Sequence, residues 1–97
     1  MYDAYGCVHC LAHVTEQTLA KINIEYCGEC GDAGVALRAA GDLLAAYEDR
    51  LAQITLIPSW NGVFEVVLNG SLVFSKTRLG RHAEPGELVR IIGERLL

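Results

Sequence analysis

Ile22-Asn-Ile-Glu-Tyr-Cys27-Gly-Glu-Cys30 is the stretch that decides how this 97-residue chain is read. Ile22, Ile24 and Tyr26 alternate with Lys21, Asn23 and Glu25, the period of a half-buried strand. The run ends in Cys-x-x-Cys, and a helical pattern follows from Asp32 to about Arg50. Strand, dithiol and helix in that order suit thiol–disulfide chemistry. The strand fixes the first cysteine, and the helix turns its free N–H groups and positive dipole end toward it. A thiolate is the nucleophile, and it is favoured at such a place. The expectation is a redox pair with Cys27 attacking from an exposed position and Cys30 resolving.

The helix is expected to bury Leu37, Ala40, Leu44, Tyr47 and Leu51, which recur at steps of three and four. Gly34 and Gly41 weaken it by about 1 kcal/mol each against alanine, so packing must hold it. Gln53 to Ile57 reads as a second strand, and Pro58-Ser-Trp60-Asn-Gly62 as a loop. Asn69-Gly70, between two β-rich runs, is a type I′ hairpin signal. A two-residue loop sets Leu68 opposite Ser71, Val66 opposite Val73 and Phe64 opposite Ser75, with Glu65 opposite Phe74 on the other face. Thr77 to Ala83 reads as a polar connection. Proline at the first helical position, Pro85, opens a last helix whose stripe is Leu88, Ile91, Ile92 and Leu96.

Residues 1–20 read as an N-terminal extension with one weak helical stripe, and residues 21–97 as a single β-α-β-β-β-α domain. Two strands joined by a helix lie parallel, and a hairpin adds two antiparallel strands. The expected fold is α/β, a two-layer α+β domain of thioredoxin-like type, with a four-stranded mixed sheet and helices packed on it.

The chain is 52% apolar and 21% charged, which favours a folded globule over a disordered segment. A net charge of −4 with no Lys/Arg run argues against nucleic acid or an anionic membrane as partner. No apolar run approaches the ~18 residues of a membrane span. No basic segment followed by an apolar block marks a secretory signal, so a cytoplasmic setting is expected. Paired cysteines there indicate catalysis or metal binding rather than a disulfide framework.

Ile24-Glu-Tyr-Cys27-Gly-Glu-Cys30, Gly62-Val-Phe-Glu-Val66, Asn69-Gly70 and Leu72-Val-Phe-Ser-Lys76 together resemble the selenoprotein W, T and H family, and in particular its cysteine-containing prokaryotic members, called Rdx or SelW-like. The resemblance covers roughly residues 21–97. It implies a thioredoxin-like fold and an oxidoreductase of poorly defined substrates. It carries the active pair onto Cys27, at the family's invariant cysteine, and Cys30, at its cysteine or selenocysteine. The first twenty residues depart from the pattern, so the family says nothing of Cys7 and Cys10.

Zinc is the rival. Cys7-x2-Cys10-x16-Cys27-x2-Cys30 falls within four-cysteine zinc spacing. A non-enzymatic zinc-held interaction module is therefore the alternative function, with those four residues as ligands. Against it, the apolar content suffices to fold without metal, and a strand before with a long helix after are redox-type flanks. The leading reading needs no cofactor and takes protein thiols, protein disulfides or glutathione as partners. For Cys7, His9, Cys10 and His13 the plainer account is an idle terminal segment, and a second dithiol exchanging with the first is preferred to a dedicated metal site. Glu29 and Glu25 oppose a thiolate nearby, while the helix end favours it. Trp60 is a candidate substrate-docking surface, with burial as the equal alternative. His82 reads as solvated and alone.

Overall fold

The computed structural model describes residues 19–96. Strand β1 (Ala20–Cys27) leads through the dithiol turn to helix α1 (Ala33–Tyr47), and a 3-10 turn (Glu48–Arg50) leads on to β2 (Leu51–Ser59). Strands β3 (Phe64–Leu68) and β4 (Ser71–Ser75) form the hairpin. A single helical turn α2 (Lys76–Leu79) and helix α3 (Glu87–Arg95) complete the fold. The sheet has four strands in the order β2-β1-β3-β4. Only the β1–β2 pair, which α1 connects, is parallel. This is the expected mixed, two-layer thioredoxin-like arrangement.

The alternation in β1 sets the layers. Ala20, Ile22 and Ile24 are buried while Lys21 and Asn23 are exposed. The buried set joins Val66, Leu68, Phe64 and Phe74 from the hairpin and Ala36, Ala40, Leu43, Leu88 and Ile92 from the two long helices in one apolar cluster. Both long helices thus lie on the same face of the sheet.

Several local details differ from the sequence reading. On α1 the buried residues are Ala36, Ala40 and Leu43, while Leu37 and Leu44 are exposed. Apolar residues occupy both sides of this helix, and the side facing the sheet is the one whose small alanines allow close approach. Pro58 lies inside β2, paired with Tyr26. An edge strand tolerates it because one row of its N–H groups has no ladder to serve.

In the hairpin, Asn69 and Gly70 have φ of 51° and 86°, the left-handed pair a type I′ turn requires. The Asn69 side chain does a second job, accepting a 2.9 Å hydrogen bond from the Lys21 N–H. Leu68 faces Ser71 as expected and Val67 faces Leu72, but a bulge then shifts the register, so that Val66 faces Phe74 and Glu65 faces Ser75. Without that bulge Phe74 would point away from the helices. With it, Phe74 is buried and meets Phe64 edge to face, ring centroids 6.4 Å apart.

The connection after β4 also has structure. Ser75 caps α2 by accepting from the Arg78 N–H at 3.1 Å, and Gly80, at φ 74°, ends it. Pro85 does not open α3. It lies in the turn closed by the Glu87 N–H on the Glu84 carbonyl, and Gly86, at φ 80°, precedes the helix.

Candidate active site

The dithiol sits where β1 stops. Cys27 is its last residue and pairs with Ser59, and the Gly28 N–H continues the contact to the Ser59 carbonyl at 2.9 Å. The chain then coils back on itself. The Gly31 N–H donates to the Gly28 carbonyl at 3.1 Å and the Asp32 N–H to the Cys27 carbonyl at 3.2 Å. Gly31 has φ of 80°, a conformation that disfavours a side chain. Then α1 begins, its first turn closed by the Ala36 N–H on the Asp32 carbonyl.

This turn brings the two cysteine Cα atoms to 5.3 Å, and the sulfurs are joined as a disulfide. The two sulfurs differ in access. Cys27 is buried at 0% exposure, locked between strand and helix, whereas Cys30 is exposed. The expected exposure of Cys27 is therefore reversed in the disulfide state. The physical reason is position along the strand: Cys27 completes β1 and is packed with it, and Cys30 lies in the turn beyond the strand's end.

The surroundings are more acidic than basic. Glu29 reaches across to the loop after β2, where its carboxylate accepts from the Asn61 N–H at 3.3 Å. Asp32 occupies the N-cap position of α1 but makes no side-chain capping bond. It faces His82 instead, with Oδ2 3.6 Å from Nε2. The imidazole also lies edge-on to Phe64 at 5.4 Å. His82 is thus neither alone nor simply solvated, contrary to the sequence reading. Phe64 supplies an apolar wall, and Asp32 a partner that sequence distance conceals. Asp32 Oδ2 and His82 Nδ1 are both buried without a hydrogen-bond partner among the described residues.

Beside the turn, a cleft of about 520 Å³ opens between α1 and the segment entering α3. Gly31, Val35, Arg38, Phe64, Pro85 and Leu88 are among its walls. The cleft is mainly apolar, with Arg38 as a cation in its lining, and Gly31 brings it to the dithiol turn. Trp60 does not line it. The tryptophan stands 63% exposed, just past Ser59, the last residue of the strand that flanks Cys27.

Cys7 and Cys10, with His9 and His13, lie outside the described residues. Among those residues, no three His, Cys, Asp or Glu side chains converge to hold a metal ion. A zinc site on Cys27 and Cys30 would need the two N-terminal cysteines. No helix among the described residues is long and apolar enough to cross a membrane.

A two-layer mixed sheet with a Cys-x-x-Cys between its first strand and first helix defines a thioredoxin-like dithiol domain. The pattern of the Rdx family matches residues 21–94, and the chain belongs to that family. Two solved structures share the fold. A protein from Bordetella parapertussis is 26% identical, with a TM-score of 0.76, covering 79% of this chain and 98% of its own. A selenoprotein W-related protein from Vibrio cholerae is 23% identical, with a TM-score of 0.78, covering 81% of this chain and 99% of its own. No curated protein sequence matches the chain.

Proposed function

We propose that the protein is a thiol–disulfide oxidoreductase in which Cys30 is the entry sulfur and Cys27 the buried partner. The observation that carries this reading is the asymmetry of access across the pair: Cys30 exposed, Cys27 at 0%. In the oxidised state an incoming thiolate attacks the Cys30 sulfur. A mixed disulfide forms there, and Cys27 leaves as the thiol. In the reverse direction the Cys30 thiolate attacks a partner's disulfide and Cys27 resolves the product. These roles invert the order that the sequence alone favours.

The partner class is a protein disulfide or a glutathione disulfide. Trp60, exposed at the rim, offers an apolar surface for it, and the cleft beside Gly31 offers room for a flanking side chain. Glu29 and Asp32 near the exposed sulfur limit how strongly a thiolate is favoured, so the pair suits exchange near the potential of its surroundings rather than forceful oxidation.

Trapping tests the roles. Cys27→Ser should accumulate a mixed disulfide on Cys30 when mixed with glutathione disulfide, and Cys30→Ser should accumulate far less on Cys27, both read by intact mass. In the reduced protein Cys30 should alkylate faster than Cys27. Faster reaction at Cys27 would overturn the assignment, and a Cys27–Cys30 pair that never exchanges would overturn the function.

A further inference from the structure

We propose that the cleft beside the dithiol turn receives a large apolar side chain next to the partner's cysteine, and that the preferred partner is a cationic peptide disulfide rather than glutathione disulfide. The proposal rests on the thiol–disulfide function above and narrows its partner class.

Position is the first support. Gly31 is both a wall of the cleft and the residue after Cys30. Consecutive Cα atoms are ~3.8 Å apart, so the cleft opens beside the exposed sulfur. A partner chain whose cysteine bonds to Cys30 advances ~3.3 Å per residue when extended. The side chains that flank its cysteine therefore come within reach of the cleft. A volume of about 520 Å³ accommodates a leucine or phenylalanine side chain. Val35, Phe64, Pro85 and Leu88 give that side chain apolar walls. In glutathione the cysteine is flanked by a γ-glutamyl group and a glycine, and neither is apolar and large.

Space is the second support. In α3, Gly93 makes room for Tyr47, whose hydroxyl would overlap a Cβ placed there. In the first turn of α1, Gly34 lines the cleft, and a Cβ added to it would meet no atom within 4 Å. Glycine weakens a helix, and no contact among the described residues requires it at this position. Open space alone marks no site, since Gly41 is equally free of neighbours. Gly34 differs because the space beside it belongs to the cleft, next to the dithiol turn.

Charge is the third support. Arg38, Asp42 and Glu84 are the charged groups of the lining, all exposed, and none is in an ion pair among the described residues. Glu29, in the dithiol turn, is exposed as well. Three carboxylates against one guanidinium make the surface around cleft and sulfur negative, which favours a cationic partner. Glutathione disulfide carries more carboxylates than ammonium groups at neutral pH and is repelled.

The exchange needs no reductant beyond the dithiol. The Cys30 thiolate attacks one sulfur of the peptide disulfide. A Cys30–peptide bond forms, the peptide disulfide breaks, and the departing peptide takes up a proton. Cys27 then loses its proton to solvent and attacks the Cys30 sulfur, and the second peptide leaves and is protonated. Two electrons pass from the dithiol to the peptides, leaving the Cys27–Cys30 disulfide.

The test follows oxidation of the reduced full-length protein, with the Cys27–Cys30 disulfide read by acid quench and peptide mapping. The oxidants are glutathione disulfide and the symmetric disulfides of Lys-Leu-Cys-Leu-Lys, Lys-Ser-Cys-Ser-Lys and Glu-Leu-Cys-Leu-Glu. Each rate is divided by that of dithiothreitol with the same disulfide, which removes differences in intrinsic reactivity. Leucine should gain about tenfold over serine. Lysine should gain several-fold over glutamate, a gap that closes as salt is added. Gly34→Leu, which fills the cleft with a better helix former, should bring the leucine-to-serine ratio close to one. Glu84→Gln should narrow the lysine-to-glutamate gap. Equal wild-type rates for the leucine and serine peptides would overturn the proposal, as would glutathione disulfide reacting fastest. A leucine-to-serine ratio unchanged in folded Gly34→Leu would remove the cleft from it, and a gap unchanged in Glu84→Gln would remove the charge. If glutathione disulfide oxidises the pair and no peptide preference appears, the proposal fails and the function stands. If none of these disulfides oxidises Cys27 and Cys30, the function fails and the proposal with it.

Discussion

Helices α1 and α3 lie side by side on one face of the sheet, yet they meet it differently. Helix α3 buries two large residues, Leu88 and Ile92, and puts Glu87, Arg90, Glu94 and Arg95 around them. Helix α1 buries two alanines and one leucine and leaves Val35, Leu37 and Leu44 partly in water. A helix with strong contrast between its faces announces its buried side. A helix apolar all round has its side chosen by fit, and small residues let α1 sit close over β1 and β2, where the dithiol turn is anchored.

The two helices are joined at one end. The Tyr47 hydroxyl donates to the Val89 carbonyl at 2.8 Å, the Arg50 guanidinium donates to the Leu96 carbonyl, and Gly93 receives the Tyr47 ring without a side chain of its own. This seam holds α3 against α1 and so holds one wall of the cleft against the other.

Adjacent leucines on α1 give the largest expected contrast. Leu43→Ala should cost about 2–5 kcal/mol, because the side chain is fully buried. Leu44→Ala, at 44% exposure, should cost under about 1 kcal/mol. Urea denaturation of both variants decides it, and equal losses would break the distinction drawn between the helix's two sides.

The seam comes next. A Cβ at position 93 would overlap the Tyr47 hydroxyl, so Gly93→Ala should destabilise by about 1–3 kcal/mol despite alanine's better helix propensity. Tyr47→Phe alone should lose about 0.5–1.5 kcal/mol with the hydrogen bond to Val89. Combined, the two should cost less than their sum, because removing the hydroxyl relieves part of the overlap. Strict additivity in thermal melts would show that the tyrosine moves aside without strain.

The smallest effect lies at the start of α3. The Arg81 guanidinium, bonded to both Glu87 oxygens, and then the Glu84 N–H hold the Glu87 carboxyl down at about 2. An unfolded glutamate titrates near ~4.3. The depressed value makes the contribution fully present above that pH and lost as pH falls through about 2. The Arg81 side chain is exposed and the Glu87 carboxylate only half-buried at the surface, so solvent screens the pair and the effect is slight. Glu87→Gln should flatten the loss of stability between about pH 4.5 and 2, seen as denaturation midpoints that change less with pH than in the wild-type chain. An unchanged slope would mean that other carboxylates carry it.

The residues that announced themselves did so through local chemistry. Alternation at Ile22, Ile24 and Tyr26 marked the first strand, Asn69-Gly70 the hairpin, and Cys27-x-x-Cys30 the dithiol between strand and helix. Each is governed by backbone preference or by a period a few residues long, so each was visible without neighbours. Ser75 and Gly80 carried a legible capping signal for α2 that a polar composition obscured. What remained was decided by contacts distant in sequence. The bulge at Val73 answers to the burial of Phe74 against Phe64, the buried side of α1 to the shape of the sheet beneath it, and the pairing of His82 with Asp32 to a loop returning fifty residues later. Which sulfur faces water belongs to this second group. The spacing of two cysteines places them within bonding reach, but only the packing of strand, turn and helix buries Cys27 and leaves Cys30 exposed.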